Sequence, residues 1–440
     1  MINFLRDIIS GAVVLGILVL LHEWGHFVAA KLCGVRVDVF SIGFGPRLFG
    51  TKRGDTDYRV SAFPLGGYVR MAGDNPVEER TGADYEFLSR PRWQRFLIAV
   101  AGPIVNITFA FLIFWGIYAA VGMPYDTSLR QPADVVAVPV DSVAASGIQP
   151  GDRILQVNGV LTPNWEKVLS EVDDPKPGAS YTIAITRAGA PQTLSVSVPP
   201  NATPYDLVGY PSMPAVVDEV GDGTPASKGG IKPGDRIVAM NGTPVVTWLQ
   251  LLGQVRSSGG RPIEFTIERD GDRIPLVIAP AQAPTPDGQT TFQIGITEKS
   301  PEAYERQGIF TSIKDAGAET YMYGHLIIGL VGGLLTGKFS MHDLAGPVGI
   351  VKISGEAAKR GPVTLFQWMA YISLDLGLLN LLPIPILDGG HVLMLAIEGL
   401  IRRDLSISVK ERFVQVGLVF LLGLFAFVMY SDILKLVQSR

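Results

Sequence analysis

The stretch LVLLHEWGHFVAA, residues 18–30, places two histidines and a glutamate inside a run of leucine, valine and alanine. Titratable groups are expensive in such a setting and are usually kept there for function. On a helix, residues four apart share a face, so His22 and His26 point the same way with Glu23 beside them. This is the His-Glu-x-x-His pattern: two imidazoles that reach one Zn2+, and a carboxylate that serves as general base toward a polarised water. The apolar run around it, residues 8–30, is long enough to cross a membrane, which takes roughly 20 residues. A cleaved signal peptide would have no use for the polar insert.

The rest of the composition agrees with a membrane protein. Of 440 residues, 47% are hydrophobic and only 18% charged, with a mean hydropathy of +0.29. A net charge of −4 gives no reason to expect a nucleic-acid partner. The single cysteine, Cys33, excludes an internal disulfide and a cysteine-based zinc site, and reads as a buried thiol. His325 and His342 read as surface or interfacial residues.

Three more apolar segments have spanning length: 96–123, 365–400 (broken by PIPILDGG) and 413–430. The run LIIGLVGGLL from Leu326 is about half as long as a span and reads as part of an amphipathic or surface helix. Lys31, Arg36, Arg47, Lys52, Arg53, Arg90, Arg92 and Arg95 follow the first span, and Arg402, Arg403, Lys410 and Arg412 precede the last. Both loops are therefore expected on the cytoplasmic side, with both termini and the long middle segment outside.

That middle segment repeats itself. SGIQPGDRILQVNGVLTPNWEKVL from Ser146 matches GGIKPGDRIVAMNGTPVVTWLQLL from Gly229. Each copy reads as a Pro-Gly-Asp turn, a strand, an Asn-Gly hairpin turn and an amphipathic helix, followed by alternating strands. The copies look like PDZ domains. The expected division is a first span in 1–30, a membrane-associated β-rich loop in 31–95, a second span in 96–123, and PDZ-like domains in 124–210 and 211–300. Amphipathic or surface helices follow in 301–364, then a third span in 365–400, a cytoplasmic loop in 401–412 and a fourth span in 413–434. The fold class is thus a polytopic α-helical membrane protein with four transmembrane helices, a β-rich loop and two α+β PDZ-like domains.

Zinc needs a third protein ligand. The position six residues after His26 is Leu32, so no third histidine follows closely. The best acid is Asp388, in NLLPIPILDGGHV, where Pro383 and Pro385 interrupt helical hydrogen bonding. Irregular backbone at membrane depth is tolerated where protein or a water-filled cavity surrounds it. By the topology above, Asp388 and the histidines lie near the same membrane face. His391, three residues on, is either a group behind the ligands or a helix-start hydrogen bond.

His-Glu-x-x-His in the first span, Gly102-Pro103-x-x-Asn106 in the second and Asn380-x-x-Pro383-x-Pro385-x-Leu387-Asp388-Gly389 in the third together resemble the site-2 protease family. The resemblance implies zinc on His22, His26 and Asp388, with Glu23 catalytic. It implies that Asn380 holds the substrate backbone, and that Gly67, Tyr68 and Val69 in GYVRM form a β-element that pairs with an unwound substrate. Asn106 is expected to line the cleft or to bond between helices. The expected substrate is the membrane segment of a single-pass protein, such as an anti-sigma factor already trimmed outside, or a leftover signal peptide. The PDZ-like domains would bind or screen its outer part, and the location would be the inner membrane of a bacterium. Asp375 stands where the family usually has Asn, and it bears on substrate handling. Two rival readings are a tandem-PDZ scaffold with a vestigial metal site and an ion transporter; intact Glu23 and Asp388 oppose the first, and the lack of an inverted repeat opposes the second.

Overall fold

The computed structural model describes residues 2–74, 81–139, 147–221, 223–284, 290–299, 302–336 and 346–438. Ser146, which opens the first repeat, and His342 lie outside them. The chain divides into one unit built from both its ends, Met1–Met123 with Arg306–Lys435, and a second unit from Pro124–Glu305 together with 436–440.

The first unit is helical. Helices α1 (Ile2–Leu32), α2 (Arg92–Ala120), α3 (Ile309–Leu335), α4 (Pro347–Arg360), α5 (Pro362–Asn380), α6 (Asp388–Ile401) and α7 (Ile407–Gln438) follow in order. Three of them, over Leu5–Leu32, Arg92–Ala120 and Ile407–Ser431, are long and apolar enough to cross a membrane. The third expected span is two helices, α5 and α6, separated by residues 381–387. The prolines explain the gap, since Pro383 and Pro385 have no N–H for a helical ladder. The half-length run from Leu326 is the second half of the 27-residue α3, which packs on α2 and α5 rather than standing alone. Their shared core holds Ala110, Phe114, Ala316, Ala370 and Leu374. Within it the Tyr371 hydroxyl donates to Glu319 at 2.8 Å, so this acid of α3 is not left unpaired among apolar side chains.

Strands β1 (Val37–Arg53) and β2 (Thr56–Met71) form an antiparallel sheet against α1. The first half of β1 is paired on both sides: Phe40 opposes Val69 and Tyr58, and Ser41 opposes Tyr68 and Arg59. The stretch 67–71 is therefore an outer strand of the sheet. At the start of α2, a cluster around the buried Glu398 and Arg95 ties three helices together. Glu398 of α6 meets Lys410 of α7 at 2.7 Å and Arg95 of α2 at 3.6 Å. Asp404 pairs with Arg92 at 3.0 Å, and these pairings hold its carboxyl below the ordinary range against the opposing effect of desolvation. Cys33, just past α1, is half-buried rather than buried.

In the second unit the two repeats fold alike. Strands Arg153–Val157, Ser180–Arg187 and Ala190–Ser197 pair antiparallel, with Val160–Leu161 on the outer side of the first. Strands Arg236–Met240, Ile263–Arg269, Asp272–Ile278 and Thr243–Pro244 repeat that order. Asn158-Gly159 and Asn241-Gly242 all have positive φ, as the tight hairpin turn requires. Trp165 and Trp248 begin equivalent helices and are buried in equivalent cores. Each Pro-Gly-Asp turn ends in a buried carboxylate. Arg187 donates twice to Asp152 and Arg269 twice to Asp235, all at 2.7 Å, while the same arginines reach the Gly147 and Gly230 carbonyls. The strands Met123–Asp126 and Glu302–Glu305 pair, so the chain enters and leaves this unit side by side.

Candidate active site

Two backbones approach closely to make the site. On α1, Gly25 meets the Ala101 backbone of α2: a Cβ at Gly25 would stand 2.6 Å from the Ala101 carbonyl oxygen. On α2, a Cβ at Gly102 would run into the His26 ring and stand 2.9 Å from His22 Cε1. Glycine at both positions lets the two helices cross with the imidazoles between them.

The helical spacing brings both rings to one side, and the break between α5 and α6 delivers the acid. His22 Nε2 and His26 Nε2 are 3.2 Å apart, and Asp388 Oδ2 lies 3.0 Å from the first and 3.4 Å from the second. The His26 Nδ1–H donates to the Ile98 carbonyl at 2.7 Å, which leaves a lone pair on Nε2. Asp388 Oδ2 is buried and accepts no hydrogen bond, although both nitrogens are near. Three ligand atoms thus converge, with the Asp388 oxygen unpartnered and a lone pair on His26 Nε2, an arrangement that a cation satisfies. Around a tetrahedral zinc with bonds of about 2.0–2.1 Å, ligand atoms stand roughly 3.3 Å apart. The triangle observed here has that size, so these residues fit zinc. Among the described residues, His22, His26 and Asp388 are the group of this kind able to hold a metal ion.

Glu23 lies on the wall of the same cavity, about 590 Å³ in volume, with Val19, Val69, Asn380 and His391. Its Oε2 accepts the backbone N–H of Val69 at 3.0 Å. The outer strand therefore touches the acid directly. Asn380, the last residue of α5, has Nδ2 3.5 Å from His22 Nε2. Asn106 is fully buried, with Nδ2 3.4 Å from His22 Nδ1. Of the other residues expected near substrate, Gly67 and Tyr68 are not among those lining the cavity. Tyr68 turns to Arg59, to which it is hydrogen-bonded, and stacks on Phe44. Asp375 also stands off the cavity wall, facing Tyr323 of α3. His391 lines the wall, and His325 lies exposed on α3 beside Tyr321.

Sequence reasoning missed the Ile98 carbonyl, the Val69 N–H and the Gly25–Gly102 crossing. Gly25 inside the histidine motif and Gly102 before Pro103 were the available signals for the last. The two backbone groups carry no signal in residue type.

The pattern of peptidase family M50 matches residues 10–424. The regulator of sigma-E protease RseP of Escherichia coli K12 is 33% identical, over 99% of this chain and all of that protein. Protease RseP of Yersinia pestis is 32% identical over the same shares. A Vibrio cholerae protein named "Putative zinc metalloprotease" is also 32% identical, again over 99% of this chain and all of its own length. Similarity of that extent, with a histidine–histidine–aspartate triangle and a glutamate in one cavity, places the chain in peptidase family M50, the intramembrane zinc metalloproteases of the site-2 type.

Proposed function

We propose that the chain holds Zn2+ on His22, His26 and Asp388 and uses Glu23 as general base to cut the membrane segment of a single-pass protein. The observation that carries this reading is the triangle of ligand atoms at 3.0–3.4 Å with Glu23 in the same cavity. Zinc, when bound, supplies Lewis-acid polarisation of water and of a peptide carbonyl. Glu23 takes the proton of the attacking water and passes it to the departing amide nitrogen. A transmembrane helix must give up its own hydrogen bonds before it can be cut, and the outer strand 67–71 offers replacements, with Val69 nearest the reacting atoms. Asn380 steadies the substrate backbone beside His22.

The topology is four crossings, with α5 and α6 together making the third. The meeting of Arg92, Arg95 and Lys410 with Asp404 and Glu398 supports placing both basic loops on one side, the cytoplasmic one. The repeats are PDZ-like domains outside the membrane, where they bind or screen the outer part of a substrate. The substrate in this reading is an anti-sigma factor, already trimmed outside, in a bacterial inner membrane, as the family resemblance implies; the relatives' names, regulator of sigma-E protease, agree with it.

The test is cleavage of a model transmembrane substrate by purified enzyme in detergent. Glu23→Gln is expected to lower kcat by about 10²–10⁴-fold while zinc content stays at the wild-type level. A zinc chelator should abolish wild-type cleavage, and added Zn2+ should restore it. Chelator-resistant cleavage by Glu23→Gln at the wild-type rate would remove the mechanism.

A further inference from the structure

His22 and His26 carry the same task with different support. A neutral imidazole has one proton, so a ring that offers Nε2 to a metal must keep the proton on Nδ1 and needs an acceptor there. His26 has one in the Ile98 carbonyl. At His22 Nδ1 the facing group is the side-chain amide of Asn106, with Nδ2 at 3.4 Å. In that orientation two donors oppose each other, and Asn106 Oδ1 is buried without a hydrogen-bond partner. A half-turn of the amide exchanges its two atoms and removes the opposition of donors: Oδ1 then accepts the Nδ1–H of His22, and Nδ2 takes the place Oδ1 held.

Asn106 is among the residues lining the cavity, and its surroundings hold the side chain toward His22. Its relative exposure is 0%. The Ser373 hydroxyl of α5 donates to the Asn106 backbone carbonyl at 2.8 Å. Gly377 presses on the same turn, where a Cβ would stand 3.0 Å from the Pro103 carbonyl oxygen and 3.4 Å from Asn106 Cβ. The side chain is thus boxed in by α5, with His22 as its polar neighbour.

We infer that Asn106 is a positioning residue of the metal site: its amide oxygen accepts the His22 Nδ1 proton, fixes the tautomer and aims Nε2 at the ion. It gives Asn106, expected to line the cleft and found there, a task toward the metal, and it rests on the proposed assignment of His22 as a ligand. It separates the roles of the two asparagines of the cavity wall, Asn380 beside His22 Nε2 and Asn106 at His22 Nδ1.

The experiment uses the full-length enzyme in detergent, with zinc affinity read by competition with a chromophoric chelator and cleavage read as kcat and KM. Asn106→Ala is expected to weaken zinc binding about 10–100-fold, with KM unchanged when zinc is in excess. Asn106→Asp presents acceptors only and is expected to bind zinc at least as tightly as the wild type. Wild-type zinc affinity in Asn106→Ala would overturn the inference. So would a loss in Asn106→Asp equal to that in Asn106→Ala, which would mean that donation matters, or a raised KM at unchanged zinc affinity, which would mean substrate contact. Thermal unfolding of each zinc-free variant separates misfolding from lost coordination. His22→Phe is measured alongside: wild-type zinc affinity in that variant would sink the ligand assignment itself, a failure distinct from wild-type affinity in Asn106→Ala alone.

Discussion

Gly102 has little to offer chemically and little room to change. Any side chain there would displace the His26 ring and press on His22. Gly102→Ala is therefore expected to cost at least about tenfold in zinc affinity, because both imidazoles must shift to make room; equilibrium dialysis against a zinc buffer measures it. Asp375 belongs to the opposite class, close to the site in sequence but off the cavity wall. Its Oδ1 is buried without a hydrogen-bond partner, and Tyr323 of α3 stands beside it. Asp375→Asn is expected to alter turnover by up to about tenfold, equivalent to some 1.4 kcal/mol, with zinc content unaltered; identical turnover would dismiss a role in substrate handling. The histidines were legible because a helical period fixes which residues share a face. Asp388 was legible as the acid in an apolar segment that prolines had already broken. The Val69 and Ile98 contacts were not, since every residue type has a carbonyl and every one but proline an N–H, and only the approach of α1 to its neighbours selects which ones matter.

Among the elements, the ends of α2, α6 and α7 are joined through Glu398, which is 1% exposed. Removing it leaves Arg95, itself buried, without that carboxylate. Arg95 keeps Asp404 at 3.5 Å, so Glu398→Ala should destabilise the helical unit by about 1–3 kcal/mol, the cost of an unmade buried charged hydrogen bond, visible as a lowered unfolding temperature in detergent. In the second unit, Glu298 ends the strand Ile296–Glu298 with an unpartnered Oε1, and burial, reinforced by Asp126, pushes its carboxyl up to about 7. The folded form therefore keeps a proton that the unfolded chain releases near its ordinary value of 4.5. The group costs nothing at lower pH and destabilises progressively as the pH rises toward about 7. Glu298→Gln should abolish that slope, which protease susceptibility of the full chain across this pH range would register. The repeats show what pattern reading reaches at this scale: the Pro-Gly-Asp and Asn-Gly turns announced the strands, while the arginine partners of Asp152 and Asp235 were hidden 35 and 34 positions downstream. The expected third span shows the converse, since the prolines announced a break but not how two helices would resume around it.

Over the whole molecule, everything in the cavity comes from the two ends of the chain, with the repeat-bearing unit inserted between them. Because the strands Met123–Asp126 and Glu302–Glu305 run together, that insertion begins and ends in one place. Replacing residues 127–301 by a short flexible linker should therefore leave zinc stoichiometry at the wild-type value, checked by metal analysis of the purified protein. The same arrangement sets a schedule. His22 and Asn380 are 358 positions apart, and Asp388 comes later still. At translation rates of roughly 5–20 residues per second, the histidines wait on the order of tens of seconds for their carboxylate. With the zinc ligands proposed above, a peptidase completed so late passes through its own synthesis, and through the membrane insertion of its early helices, without the means to cut anything.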